Sequence, residues 1–212
     1  MAILHRAELR PGKLELIAAW LPSQSWYSGP PAPDLVAVGS FRFDDPDGRV
    51  GVETHLVQAG DGPVYQVPLT YRGAPLADAE PFLVGEMEHS VLGHRWVYDA
   101  CADPVYAATL AETILTGGRQ ADEIYTGDDN AEPQPASVEV TGSGEPGTMV
   151  PPVGFVATSD TDTRTVVDTG AVLLEVLRIP ESADSDDVFT LTGMWSGQSD
   201  PALLAIARHL RE

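Results

Sequence analysis

Glu53 and His55 stand two residues apart in the alternating stretch 50–57, so on a strand they share a face, and Glu86, Glu88, His89 and His94 crowd into one short segment. A carboxylate beside an imidazole can act as an acid/base pair, and two such pairs can hold a divalent metal. Glu53, His55, Glu88 and His89 are therefore weak metal candidates, and a small enzyme using the Glu/His cluster is one reading of the chain. None of these spacings is diagnostic. Histidine and glutamate on strand faces ordinarily meet water or neighbouring side chains, and that reading is preferred: no catalytic residue, no metal and no cofactor is expected.

Other residue types were weighed in the same way. Ser90 and Ser196 lack the Gly-x-Ser-x-Gly surroundings of a nucleophile elbow. Cys101 precedes an Asp-Pro helix start but has no evident base, so a small buried hydrophobe is the better role for it. Gly142-Ser143-Gly144 resembles a phosphate loop only superficially, without the lysine or the strand-to-helix setting. The aromatic residues Trp20, Trp26, Tyr27, Trp96 and Tyr98 offer flat apolar faces that suit pyranose C–H groups, which makes them the candidate ligand-binding set for a carbohydrate such as a maltooligosaccharide. Core packing is the more ordinary use of such rings and is preferred.

The elements that must position these groups are mostly strands. Residues 64–72 alternate Tyr65, Val67, Leu69 and Tyr71 against Gln66, Pro68, Thr70 and Arg72, the period of a half-buried strand, and Gly60-Asp61-Gly62-Pro63 supplies a turn before it. With 50–57 this makes a hairpin, and a strand at 35–43 precedes it through the turn at 44–48. Pro68 cannot donate to a ladder, so its N–H side should face an edge, a bulge or a non-paired position, which puts the hairpin near a sheet boundary; an exposed edge there would permit a homodimer without requiring one. Further strands are expected at 2–9, 81–87, 91–98, 136–140, 154–158, 164–168, 171–179 and 188–192.

Helices are fewer. A short one is expected over 14–21, stopped by Pro22. The clearest starts at Asp103-Pro104, carries Tyr106, Leu110 and Ile114 as a stripe, and ends at Gly117-Gly118. A last helix is expected after Asp200-Pro201, with Leu203, Leu204, Ala207 and Leu210 as its stripe and Arg208 and Arg211 in its final turn. Trp96 precedes Asp103-Pro104 much as Trp195 precedes Asp200-Pro201, and two similar, duplicated halves are one reading of that echo.

Composition bounds the partners. The 212 residues are 43% hydrophobic, with 20 Gly and 18 Pro, which suits a folded, turn-rich globule. With 32 acidic against 12 basic residues the formal net charge is −20, a field that repels phosphate backbones and anionic lipid, so neither nucleic acid nor membrane is an expected partner. No apolar run reaches the roughly 20 residues of a membrane span. The amino terminus has no signal-peptide pattern, and the single Cys101 permits no intrachain disulfide, so a cytoplasmic location is expected.

Two short pieces, Trp20-Leu21-Pro22-Ser23-Gln24-Ser25-Trp26-Tyr27 and Tyr65-Gln66-Val67-Pro68-Leu69, resemble the amino-terminal cap domain of actinobacterial maltokinases and of the trehalose synthase fusions that carry it. The run 86–99 looks typical of stand-alone proteins with a maltokinase cap-like domain. The resemblance implies an α+β fold, a curved antiparallel sheet packed on helices in a cystatin-like cap. With the residue pattern it suggests a cap-like unit at 1–119, an acidic Gly/Pro-rich linker or loop at 120–149, and a β-rich segment at 150–212 that ends in a helix and either packs on the first unit or repeats it. The sequence departs from the family where Ser25 replaces the arginine before Trp26. Nothing in it matches the His-Gly-Asp catalytic loop of a kinase lobe. The implied role is a non-catalytic interaction or regulatory protein of maltose, trehalose and α-glucan (glycogen) metabolism, with an enzyme of that metabolism as its protein partner.

Overall fold

The computed structural model describes residues 2–4, 7–125, 136–183 and 189–210. In chain order the elements are β1 (Ala2–Leu4), β2 (Leu9–Arg10), α1 (Lys13–Trp20), β3 (Leu35–Phe43), β4 (Gly51–Ala59), β5 (Val64–Arg72), β6 (Leu83–His89), β7 (Gly93–Asp99), α2 (Pro104–Thr116), β8 (Glu123–Tyr125), β9 (Val138–Gly142), β10 (Ala157–Asp160), β11 (Arg164–Asp168), β12 (Val172–Ser182), β13 (Phe189–Trp195) and β14 (Ala202–His209). Two curved antiparallel sheets result, with few helices. The first has the order β2-β6-β7-β5-β4-β3 and the second β10-β11-β12-β14-β13-β9, while β1 and β8 form a short parallel pair.

The hairpin β4/β5 is in register from Gly51 opposite Tyr71 to Gln58 opposite Val64. It is buried on both faces rather than half-buried. Tyr65, Val67 and Leu69 pack into one core with Ile17, Leu21 and Trp26, whereas Val52 and Leu56 face a second core shared with Leu110, Leu174 and Leu204. The hairpin lies inside its sheet in strand order, yet Pro68 stands where β5 has no partner on its β7 side, the non-paired position that a residue without an N–H requires. That residue stands opposite Thr54 and just short of the β5/β7 pairing, which begins at Leu69 opposite Asp99. The outer strands of this sheet are β2 and β3, and the unpaired side of β5 at Pro68 is buried rather than exposed.

Helix α2 starts and stops where its residues dictate. The Asp103 carboxylate accepts from the Val105 N–H, Pro104 fills a first-turn position that needs no donor, and Gly117 adopts φ 69° at the C-terminal end. The last carbonyls of α2 are then satisfied by the backbone after β9: Gly144 N–H donates to Ile114 O at 2.8 Å and Glu145 N–H to Leu115 O at 3.1 Å. This approach requires glycine. A Cβ on Gly142 would lie 2.0 Å from Thr113 O, and one on Gly144 2.0 Å from Leu115 O. Gly142-Ser143-Gly144 is thus a helix-end cradle, neither phosphate loop nor solvated linker.

The segment 120–149 contributes β8 and β9, and Val138 and Val140 of β9 are fully buried. Its residues 126–135 lie outside the described ones, as do Val188 and Arg211. The expected last helix is a strand. Ala202–His209 pairs with both β12 and β13, and six consecutive residues from Ala202 to Ala207 are buried. A strand covered on both faces has a continuous apolar run, in which Leu203, Leu204 and Ala207 mimic helical spacing. The resemblance between halves therefore fails at this closing element.

Candidate functional site

Glu53 and His55 do converge with other polar groups, but on buried ground. Both project from β4 toward α1, where the Glu53 carboxylate is 4% exposed. Its Oε2 accepts from Lys13 Nζ at 2.5 Å and from Arg42 Nη2 at 2.7 Å, with His55 Nε2 at 3.5 Å. His55 Nε2 lies 3.0 Å from the Tyr71 hydroxyl, and Lys13 Nζ stands 5.5 Å from the Tyr71 ring centroid. Burial alone would raise the Glu53 carboxyl, yet His55, Arg42 and Lys13 overcome it and hold the group well below the usual carboxylate range. Burial, followed by Glu53, pushes the Tyr71 hydroxyl well up. Lys13 and Arg42, which complete this cluster, were not anticipated. The signal for Arg42 was its place across from Glu53 in neighbouring strands.

Glu88 and His89 part company. They are adjacent on β6 and so face opposite ways. Glu88 faces His94, whose Nδ1 is 2.7 Å from Glu88 Oε1 and whose Nε2 is 3.1 Å from Glu86 Oε2. The hydrogen bond to Glu88 leads the effects that raise the His94 imidazole above its ordinary value. His89 Nδ1 accepts from the Val91 and Leu92 N–H groups and shapes the β6/β7 turn. Among the described residues no group of three His, Cys, Asp or Glu side chains is placed to hold a metal ion.

The three weighed nucleophiles are also accounted for. Ser90 Oγ accepts from the Glu8 N–H, Ser196 lies in an exposed turn, and burial pushes the Cys101 thiol well up, which disfavours a thiolate.

Of the five candidate ligand-binding rings, Trp20, Trp26 and Tyr98 are less than a tenth exposed. Trp20 meets Trp26 edge-on at 5.8 Å, Trp26 lies 6.2 Å from Tyr65, and Tyr27 lies 5.0 Å from Tyr65. Tyr98 Oη accepts from the Leu76 N–H. Trp96, in contrast, is half-buried on the β6/β7 hairpin and meets His94 at 4.4 Å.

A polar network that the sequence did not announce joins the two sheets. Arg178 on β12 is fully buried. It donates from Nη2 to Asp99 Oδ2 at 2.5 Å and from Nε to Thr165 Oγ1 at 2.7 Å, and its guanidinium carbon lies 4.6 Å from the Trp26 ring centroid. Gln66 Nε2 donates to the carbonyls of Leu177 at 2.8 Å and Leu204 at 2.9 Å. Beside them, Arg72 grips the helix-capping Asp103 through Nε at 2.6 Å and Nη2 at 2.7 Å.

These features define a class: a strand-dominated module of two antiparallel sheets joined by buried polar locks, with Glu53, Glu86, Glu88 and His94 engaged in pairs. Residues 20–103 match the maltokinase N-terminal cap domain family, a stretch similar to that cap over less than half of the chain. The match runs from the end of α1 to the capping residue of α2 and contains Trp26, Gln66 and Asp99. No curated protein matches the chain. One solved structure, a glucosamine kinase in complex with glucosamine, ADP and inorganic phosphate, is similar over 95% of this chain at 15% identity with a TM-score of 0.47. This chain spans 41% of that chain's length, and a likeness of this degree carries no argument.

Proposed function

We propose that the protein is a non-catalytic cap-like interaction protein, acting on an enzyme of maltose, trehalose or α-glucan metabolism by contact. The observation that carries this reading is the match of residues 20–103 to the maltokinase cap domain, the non-catalytic part of a maltokinase. The candidate chemistry points the same way. Glu53 is spent on Lys13 and Arg42, Glu86 and Glu88 flank His94, and His89 closes a turn. A cystatin-like description belongs to this reading, as does a cytoplasmic location. Surface-immobilised protein is presented with a purified maltokinase, a trehalose synthase and a glucan-branching enzyme. Saturable binding to one of them, or a change in its rate, is expected; absence of both across the three enzymes overturns the proposal.

A further inference from the structure

Between β9 and β10 residues 149–156, Met-Val-Pro-Pro-Val-Gly-Phe-Val, form neither helix nor strand, yet their burial repeats every third residue. Val150, Val153 and Val156 pack against the core that holds Leu110, Leu174 and Leu204. Met149 is 89% exposed, Pro152 is exposed and Phe155 is 58% exposed. A strand would have placed Pro152 on the face of Val150 and Val156 and turned Val153 away from it. A repeat of three is that of polyproline II. Pro151 and Pro152 fix φ near about −65°, and the residue before each proline is held extended. Among the described residues no hydrogen bond joins residues 149–156 to one another, as this conformation requires.

We infer that the outward ridge of Met149, Pro152 and Phe155 is a docking surface for a partner protein that reads polyproline II through a shallow groove lined with aromatic side chains. Apolar side chains at the repeat of such a helix are what these grooves take up. The valine face anchors the segment on the core, so the ridge is ordered before a partner arrives and little conformational freedom is left to lose. Charge selects the same occupant. No residue from Pro146 to Ser159 is charged, on a chain of net charge −20, so an apolar groove meets no ionised side chain of this segment. A partner that adds a strand is disfavoured, because Pro151 and Pro152 have no N–H for a ladder. An anionic membrane is disfavoured by the net charge. The ridge lies outside residues 20–103 and does not rest on the cap match.

The test uses the full chain with methyl-labelled methionine. The chain has 4 methionines, and the buried Met87 reports on the fold while Met149 reports on the ridge. Three purified domains that read polyproline ligands, of the SH3, WW and EVH1 types, are titrated in turn. The Met149 methyl signal is expected to shift saturably with at least one of them. Phe155→Ala should then weaken that binding at least about tenfold, and Pro152→Ala should weaken it as well, which keeps the test open if the first variant does not fold. Val36→Ser, at an exposed apolar residue of β3, should leave the affinity unchanged. No saturable shift with any of the three domains, affinity untouched by both ridge variants, or an equal loss from Val36→Ser each overturns the inference. A Met149 signal that moves with the concentration of the protein alone overturns it too, because the occupant is then a second copy. All four results leave the enzyme-contact proposal standing, since that proposal is read from binding to the three enzymes.

Discussion

Arg178 and Asp99 form a buried ion pair, 2.5 Å between Nη2 and Oδ2, that fastens the second sheet to the strand end just before α2. The arginine is fully buried and the aspartate 5% exposed, so water screens neither. Asp99 serves twice, because its other oxygen accepts the Cys101 N–H. Asp99→Ala would strand a buried guanidinium and should cost about 3–5 kcal/mol in chemical denaturation. Arg178→Met, which keeps much of the packing but leaves Asp99 without its partner, should destabilise as well. The double variant should recover part of the loss, and strict additivity in that cycle would refute a direct pairing.

The glycines behind α2 make a steric prediction. Gly142→Ala and Gly144→Ala each place a methyl group against a helix carbonyl that cannot retreat. Each should lower stability by about 1–3 kcal/mol, and hydrogen exchange should show the loss first in the last turn of α2. Gly154→Ala, with open space around it, should change little.

Glu53 links stability to pH. Its ordinary value is 4.5, and the folded value is lower despite burial, which by itself would raise it, because His55, Arg42 and Lys13 favour the charged form. The stabilisation it gives is therefore complete above 4.5 and is lost as pH falls through the lower folded value. Glu53→Gln should cost about 2–3 kcal/mol at neutral pH and flatten the acid limb of the stability curve; an unchanged acid limb would remove Glu53 from that role.

His94 runs the opposite way. Its folded value lies above the ordinary 6.5, chiefly through the Glu88 hydrogen bond, so its contribution is present below 6.5 and disappears as pH rises through the folded value. Because the group is exposed, the effect belongs to the titration rather than to global stability. Imidazole proton shifts should show a raised midpoint, and Glu88→Gln should bring it down.

The parts of the fold that the sequence made legible are those whose signals are local. The capping Asp103, Pro104 and Gly117 mark α2 because each answers a backbone need within one turn. The hairpin 50–72 shows in alternation and turn residues. What escaped were features set by the opposite sheet. The burial of Gln66, Pro68 and Thr70 could not be read from a polar-facing pattern, because the second sheet covers them. The strand at Ala202–Ala207 lost its period for the same reason. Arg178, one arginine in an apolar run, gave no hint that its partner lies 79 positions away. Trp20 and Trp26 were candidates as aromatic residues, yet only the folded chain separates them, sealed in a core, from the half-open Trp96.

The Gln66 amide reaches two carbonyls on the facing layer at 2.8 and 2.9 Å. A single side chain thus acts as a spacer gauge between the layers, tolerating neither sliding nor separation. The stretch 20–103 cannot be treated as a detachable part: cut away from β12 and β14, it would present Gln66, Asp99 and the Trp26 ring to solvent as empty sockets. The carboxyl-terminal sheet is in that sense its built-in counterpart, and any outside partner must be met on some other side of the molecule.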